Sequence, residues 1–279
     1  MIRIITDSTS DISQDQAKEM GIDIIPLRVN FADGAYRDGI DITNAEFYKK
    51  LEQSEELPTT SQVNPYEFDN FFKKYTNNGD EIVCILISSQ LSGTYQSAVA
   101  AGEMYKNDNI YIIDSQNVTF PLGLLVHHAV RLRDSGVSAK QIEQEIENLK
   151  SRVRLVAVVN TLKYLQMGGR ISAGTAVVGS VLGINPIIAI VDGKVESVGK
   201  ARGRKQAFRW MMDYIKKEGI DYNYPVAFGS SNSEEILNEC IEFFKPHIDT
   251  QDILISDIGS IVGTYAGPDA VGISYIAKN

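Results

Sequence analysis

The chain reads as an α/β protein of two domains: a largely parallel three-layer N-terminal sheet domain, then a smaller mixed-sheet α/β C-terminal domain. Three observations carry this reading. Short β-branched runs such as "IRIIT", "EIVCIL" and "IYIID" alternate with helical stretches through the first half, the pattern of a parallel sheet covered on both faces. Past about residue 151 the texture changes, and "INPIIAIVDGKVESVGKARG" sets Asp192-Gly193 between two extended runs, a hairpin signal. Finally, 279 residues with 43% hydrophobic content suffice for two modest cores. The expected division is 1–151 and 152–279, an approximate boundary across which either part can borrow a segment.

The first strand ends near Thr6, and "DSTSD" follows as a loop. Ser13 and Gln16 have capping-box spacing ahead of a short helix that Gly21 closes. "IDIIPLRVNF" is extended, with Pro26 marking an edge or a bend. Thr43 and Glu46 form a second capping box, and "PTTSQVNP" reads as a loop. Asn64 caps the next helix with Pro65 at its first position. Strand "EIVCILI", helix "GTYQSAVAAGEMY", strand "IYIID" and helices around "PLGLLVHHAVRLRD" and "SAKQIEQEIENL" follow. After "RVRLVAVVN" and the hairpin come a helix from about Lys205 to Lys217, strand "PVAFG", helix "EEILNECIEFF", strand "DILISDI" and a closing strand near "AVGISYI".

A net charge of −9 argues against nucleic acid or an anionic membrane as a broad partner, leaving at most transient membrane contact. Cys84 in an apolar run and Cys240 in an amphipathic helix read as buried thiols, with neither disulfide nor zinc-site spacing. "MIRIITDSTS" has neither the length of a membrane span nor the form of a signal peptide, so a cytoplasmic location is expected. No Asp/His cluster has ligand spacing, and no metal is expected.

"ISSQLSGTYQSA", Ile87 to Ala98, places serines between a strand and a helix. A nucleophilic Ser92 needs a base and an orienting group. His127 and His128 sit in the apolar "GLLVHHAV", His247 sits at a helix end, and there is no G-x-S-x-G elbow. A helix N-terminus with Ser92 and Thr94 beside it instead suits an anion, carboxylate or phosphate. Ser92 as a simple cap of its own helix is the third option. "TTSQ" offers further hydroxyls, and "MGGRIS" puts Arg170 behind two glycines. "GTYAGPDAVG" reads as two glycine-bounded turns. "SAGTAVVGSVLGINPIIAIV" is either a core segment or the lining of an apolar pocket. Neither a G-x-x-x-x-G-K-[ST] nor a G-x-G-x-x-G motif is present to support a nucleotide-binding alternative.

"TDSTSD", "TTSQ", "ISSQLSGTYQSA", "YIIDS", "LKYLQMGGRIS", "INPII" and "GTYAGPDAVG", in this order over essentially the whole chain, resemble the DegV family. The resemblance implies a FakB-like, bacterial fatty-acid-binding protein: two α/β domains holding a long-chain acid such as palmitate, its carboxylate on loop hydroxyls and its tail in an apolar tunnel. The carboxylate ligands fall on Thr60 and Ser92, with Gly93 and Thr94 as neighbouring contacts. Arg170 matches an arginine near the head group and the phosphate-transfer site. Arg202, in "KARGRK", matches a position that docks a partner fatty acid kinase, whose ATP-dependent phosphorylation of the bound acid feeds phospholipid synthesis. The implied protein is a carrier with no cofactor of its own; the alternative from the residues is a serine acyl-ester hydrolase using Ser92. The family's G-T-H reads Gly263-Thr264-Tyr265 here, so a phenol that does not titrate near neutrality stands where a histidine helps organise the head group. Asp269 likewise stands where a glycine is common.

Overall fold

The computed structural model describes residues 1–105, 110–171 and 183–278. It contains a four-stranded, a six-stranded and a three-stranded sheet. The first sheet has the order β2-β1-β6-β7, from Asp23–Ile25, Ile2–Asp7, Glu81–Leu86 and Ile110–Asp114, and every pairing in it is parallel. Its strands are nearly continuous apolar runs because both faces are covered. Ile4, Val83, Ile85 and Ile113 pack under α1 (Gln14–Met20), α5 (Phe120–Asp134) and α6 (Ala139–Leu149). Ile5, Ile82, Cys84 and Leu86 face α2 (Asn44–Gln53), α3 (Pro65–Thr76) and α4 (Thr94–Gly102). The capping boxes at Ser13/Gln16, Thr43/Glu46 and Asn64/Glu67 all form, and Gly21 closes α1 in the left-handed conformation.

The stretch "IDIIPLRVNF" is divided at Pro26, which cannot donate a ladder hydrogen bond. The chain leaves the parallel sheet there and enters the three-stranded antiparallel sheet β4-β3-β5, with β3 at Arg28–Phe31 and β4 at Gly34–Arg37. Its third strand corrects the loop expected at "TTSQ": Thr59–Ser61 is β5, and Thr60 pairs with Val29. A three-residue polar strand at a sheet edge has too little apolar periodicity to read in advance.

The six-stranded mixed sheet runs β10-β9-β8-β13-β11-β12. Its strands are Lys194–Arg202, Ile184–Val191, Val153–Val158, Val271–Ile276, Val226–Ser230 and Ile253–Asp257. The expected hairpin joins β9 to β10 through Asp192-Gly193, both at positive φ, and β12 alone runs parallel to its neighbour. One face packs under α8 (Arg204–Glu218) and α9 (Glu234–Phe244). The other face, with Leu155, Ala157, Ile188, Ile190 and Ala227, turns toward the first half of the chain. Two short helices complete the fold, α7 at Lys163–Met167 and α10 at Ser260–Ala266. The second corrects the two turns expected in "GTYAGPDAVG", because Tyr265 stands on a helix and only Gly267 and Asp269 have positive φ. Cys84 and Cys240 are buried and unpaired.

Candidate functional site

An apolar cavity lies between the inner face of the six-stranded sheet and the first half of the chain. Its empty volume is about 830 Å3, open mouth included. Leu155, Ala157, Ile188, Ile190 and Val195 supply the sheet wall. Ile258, Ile261 and Val262 close it from α10 and the loop before it, and Leu27, Ile87, Val118 and Phe120 from the other half. Most of these side chains belong to one hydrophobic cluster, and Leu27 and Ile261 to the neighbouring one, so packed core lines the cavity. Residues 172–182, within the small-residue stretch singled out in the sequence, lie outside the described residues.

Polar groups on the wall are few: Thr60, Ser92, Thr119, Arg170 and Tyr265 among the described residues. Four of them come from separate elements and are half-buried. Thr60 is held in β5 by the pairing to Val29, and its Oγ1 lies 2.6 Å from the Tyr265 hydroxyl. Arg170 Cζ sits 4.6 Å from the centre of the Tyr265 ring, a cation–π contact that fixes the ring from its other side. The guanidinium also donates to the carbonyls of Gly168, at 2.6 Å, and Leu91, at 3.3 Å. A Cβ on Gly168 would fall 2.2 Å from the Tyr265 ring, so only glycine lets α7 approach this closely.

Ser92 sits at the end of the serine loop, where its amide donates to the Ser88 carbonyl at 3.1 Å. Its Oγ is 3.0 Å from Thr94 Oγ1 and accepts from the Thr94 amide at 3.3 Å. Gly93, one residue before α4, joins two of the sequence motifs. Its missing side chain leaves room for Gln62 of "TTSQ", whose Nε2 donates to Ser97 Oγ at 2.9 Å. Thr94 is buried behind this loop, and borders the cavity only through its bond to Ser92. Ser88 in turn donates to the Gly193 carbonyl at 2.7 Å, fastening the loop to the β9–β10 hairpin.

No histidine borders this cavity. His127 and His128 are half-buried on α5, with His128 edge-on to Tyr224, and His247 is exposed after α9. Arg202 is exposed at the end of β10, with Lys200, Lys205 and Arg209 exposed nearby, while Arg204 pairs with Glu239 at 2.7 Å. Asp269 accepts from Asn160 at 3.1 Å and does not border the cavity.

Three carboxylates brace the wall, Asp7 and Asp38 buried and Asp11 half-buried, and sequence reasoning passed over them. Asp7 accepts from the Ile87 amide at 2.8 Å and from the Thr9 amide and hydroxyl, so it holds the base of the serine loop. Asp11 accepts from Thr119 Oγ1 and, at 3.0 Å, from the Gly259 amide. Asp38 accepts from the Ser260 amide at 3.1 Å and its hydroxyl at 2.6 Å, anchoring the start of the helix that carries Tyr265. Burial raises the pKa of all three; the donors to Asp7 offset only part of this, and it is pushed up to about 6. The available signal was "TDSTSD", acids set directly behind a buried strand; Asp38 has no local signal at all.

An apolar cavity with four hydroxyls and one guanidinium at its border suits an amphiphile with an anionic end. That is the architecture of an α/β protein with an apolar cavity between its sheets and a polar cluster at the border. The family model "Uncharacterised protein, DegV family" matches residues 1–278, and the chain belongs to the DegV family. It is 38% identical over 278 residues, 99% of each chain, to a DegV domain-containing protein of Caldanaerobacter subterraneus. Among solved structures it is similar to a DegV family protein from Thermus thermophilus described by its fatty acid binding, at 29% identity, TM-score 0.90 and 99% coverage of both chains. A stearic-acid-binding protein from Eubacterium ventriosum is also 29% identical, with TM-score 0.86, covering 100% of this chain and 99% of that one.

Proposed function

We propose that this chain binds one long-chain fatty acid, with the carboxylate on Thr60 and Ser92 and the tail in the apolar cavity. The observation that carries the reading is the cavity itself, apolar except where Thr60, Ser92, Thr119, Arg170 and Tyr265 meet its border among the described residues. The fatty acids bound by its relatives point the same way. Burying one methylene contributes about 0.8 kcal/mol, so a sixteen-carbon tail supplies on the order of 10 kcal/mol before the costs of association. Each hydrogen bond to the carboxylate adds about 1.5–3 kcal/mol. The tail therefore provides most of the affinity, while the hydroxyls select acids over alcohols and fix which end faces out.

In this reading the chain carries a substrate and needs no cofactor. A partner fatty acid kinase, acting in the cytoplasm, phosphorylates the presented carboxylate with ATP and docks on the basic face around Arg202. Arg170, clamped over Tyr265, supplies positive charge beside the head group. Ser92 is poorly placed for hydrolysis, since its hydroxyl pairs with Thr94 and no histidine borders the cavity.

Native mass spectrometry of the purified protein, followed by extraction of bound lipid, tests the reading. A stoichiometric free fatty acid is the expected result. A protein that takes up no fatty acid, or covalent labelling of Ser92 by a fluorophosphonate, would overturn it.

A further inference from the structure

Behind Phe120 lies a second cavity, of about 330 Å3 with its open side included. Among the described residues Phe120 alone borders both this cavity and the main one. Its ring is 3% exposed and lies against Gly229 of β11, where a Cβ would come within 2.4 Å of it. A single aromatic side chain therefore partitions two voids, and the missing side chain at Gly229 is what admits the ring.

The second cavity differs in character from the first. Ile12, Ala227 and Leu254 give it apolar wall, but Ser10 and His127 border it as well. Ser10 is 1% exposed, and its hydroxyl has no hydrogen-bond partner among the described residues. Burying an unpaired hydroxyl is unfavourable, and a ligand hydroxyl relieves it by bonding directly. His127, kept neutral by its burial, can accept a second bond. Asp11, also on this wall, is already engaged by Thr119 and Gly259.

Resting on the fatty-acid reading above, we propose that the second cavity is a subsite for the distal end of a long acyl chain bearing a terminal hydroxyl. Phe120 turns aside to join the two cavities, and Ser10 pairs with the hydroxyl. The ligand class is thus extended from plain long-chain acids to ω-hydroxy acids of greater length.

Displacement of a fluorescent fatty acid by palmitic, arachidic and 20-hydroxyarachidic acids tests this in the intact protein. The parent protein should bind the hydroxy acid at least as tightly as arachidic acid. Ser10→Ala, which removes only a hydroxyl, should weaken the hydroxy acid about tenfold, the effect of one hydrogen bond, and leave arachidic acid unchanged. Phe120→Trp, a larger partition, should weaken both twenty-carbon acids more than it weakens palmitic acid. Phe120→Leu, a milder change, should favour them. Equal responses of the two long acids to Ser10→Ala would overturn the subsite, as would a parent protein that excludes the hydroxy acid. Failure of palmitic acid itself to bind would instead overturn the fatty-acid reading on which the subsite depends.

Discussion

The hydroxyls of Tyr265 and Thr60 lie 2.6 Å apart and join α10 to β5 across 205 positions of sequence. The polar end of the cavity is therefore held together by its own side chains, and the ring is gripped by Arg170. Thr60→Ala and Ser92→Ala should each weaken fatty-acid binding by about 1.5–3 kcal/mol, roughly ten- to a hundredfold. Tyr265→Phe should weaken it by only about fivefold, because it loosens Thr60 without removing it. Isothermal titration with palmitic acid gives these values, and unchanged melting temperatures show that the fold is intact. A double Thr60/Ser92 variant with parental affinity would place the carboxylate elsewhere.

Gly168→Ala reaches the same cluster from the backbone. The added methyl overlaps the Tyr265 ring, and relieving such an overlap costs about 1–3 kcal/mol. Thermal denaturation should show the loss, and ligand affinity should fall with it because the ring must leave Arg170 and Thr60.

Asp7 makes stability depend on pH in an unusual direction. Its pKa rises from 3.8 to about 6 on folding because the carboxyl is buried. Between those values the folded state holds a proton that the unfolded state has released, so this group's contribution is complete below about pH 4 and lost as pH rises through about 6. Asp11 and Asp38 shift in the same direction. Urea denaturation across this window should show the parent losing about 3 kcal/mol relative to Asp7→Asn. Parallel curves for the two proteins would mean that Asp7 ionises freely in the fold.

In the carrier role proposed above, Arg202 separates carrying from presenting. It is exposed on the outer strand of the six-stranded sheet and does not border the cavity. Arg202→Glu should leave palmitic acid affinity unchanged and reduce capture of the partner kinase in a pull-down at low salt. Undiminished capture would remove this face from the docking surface.

Both cysteines should be silent toward thiol reagents until the protein unfolds. Burial raises each thiol pKa and suppresses the reactive thiolate. Labelling counted by mass spectrometry, with and without denaturant, reads this directly; rapid native labelling at Cys84 would mean that the first sheet opens.

The fold was largely legible because its strands are strongly apolar and its helices carry local start signals. Ser13, Thr43 and Asn64 each make the cap that their spacing announces. What escaped was short or non-local. β5 has three polar residues, and α10 begins at Ser260 with its cap supplied by Asp38, 222 positions earlier. Thr60, Ser92 and Arg170 were found as hydroxyl-rich or glycine-flanked motifs, and the structure brings them to one cavity. Leu27, Ile258 and Phe120 looked like ordinary core, and a wall residue has no signature of its own when the void beside it is made by long-range packing. Gln62 and Gly193 show the same limit, since each matters through a partner in another element.

The bond from Ser88 to Gly193 bears on how a ligand gets in. It is accompanied by Asn44 to Asp257, Tyr48 to the Ile258 carbonyl, Asp38 to Ser260 and Asp11 to Gly259, all spanning the first and last parts of the chain. Swinging the two sheets apart like a clamshell would break these bonds together and strip Asp11 and Asp38 of donors from Gly259 and Ser260. Small movements around α7 and the Tyr265 ring disturb far fewer contacts. For the fatty acid proposed above, the rate of uptake should therefore respond to changes at the Tyr265 ring more than to changes at this seam.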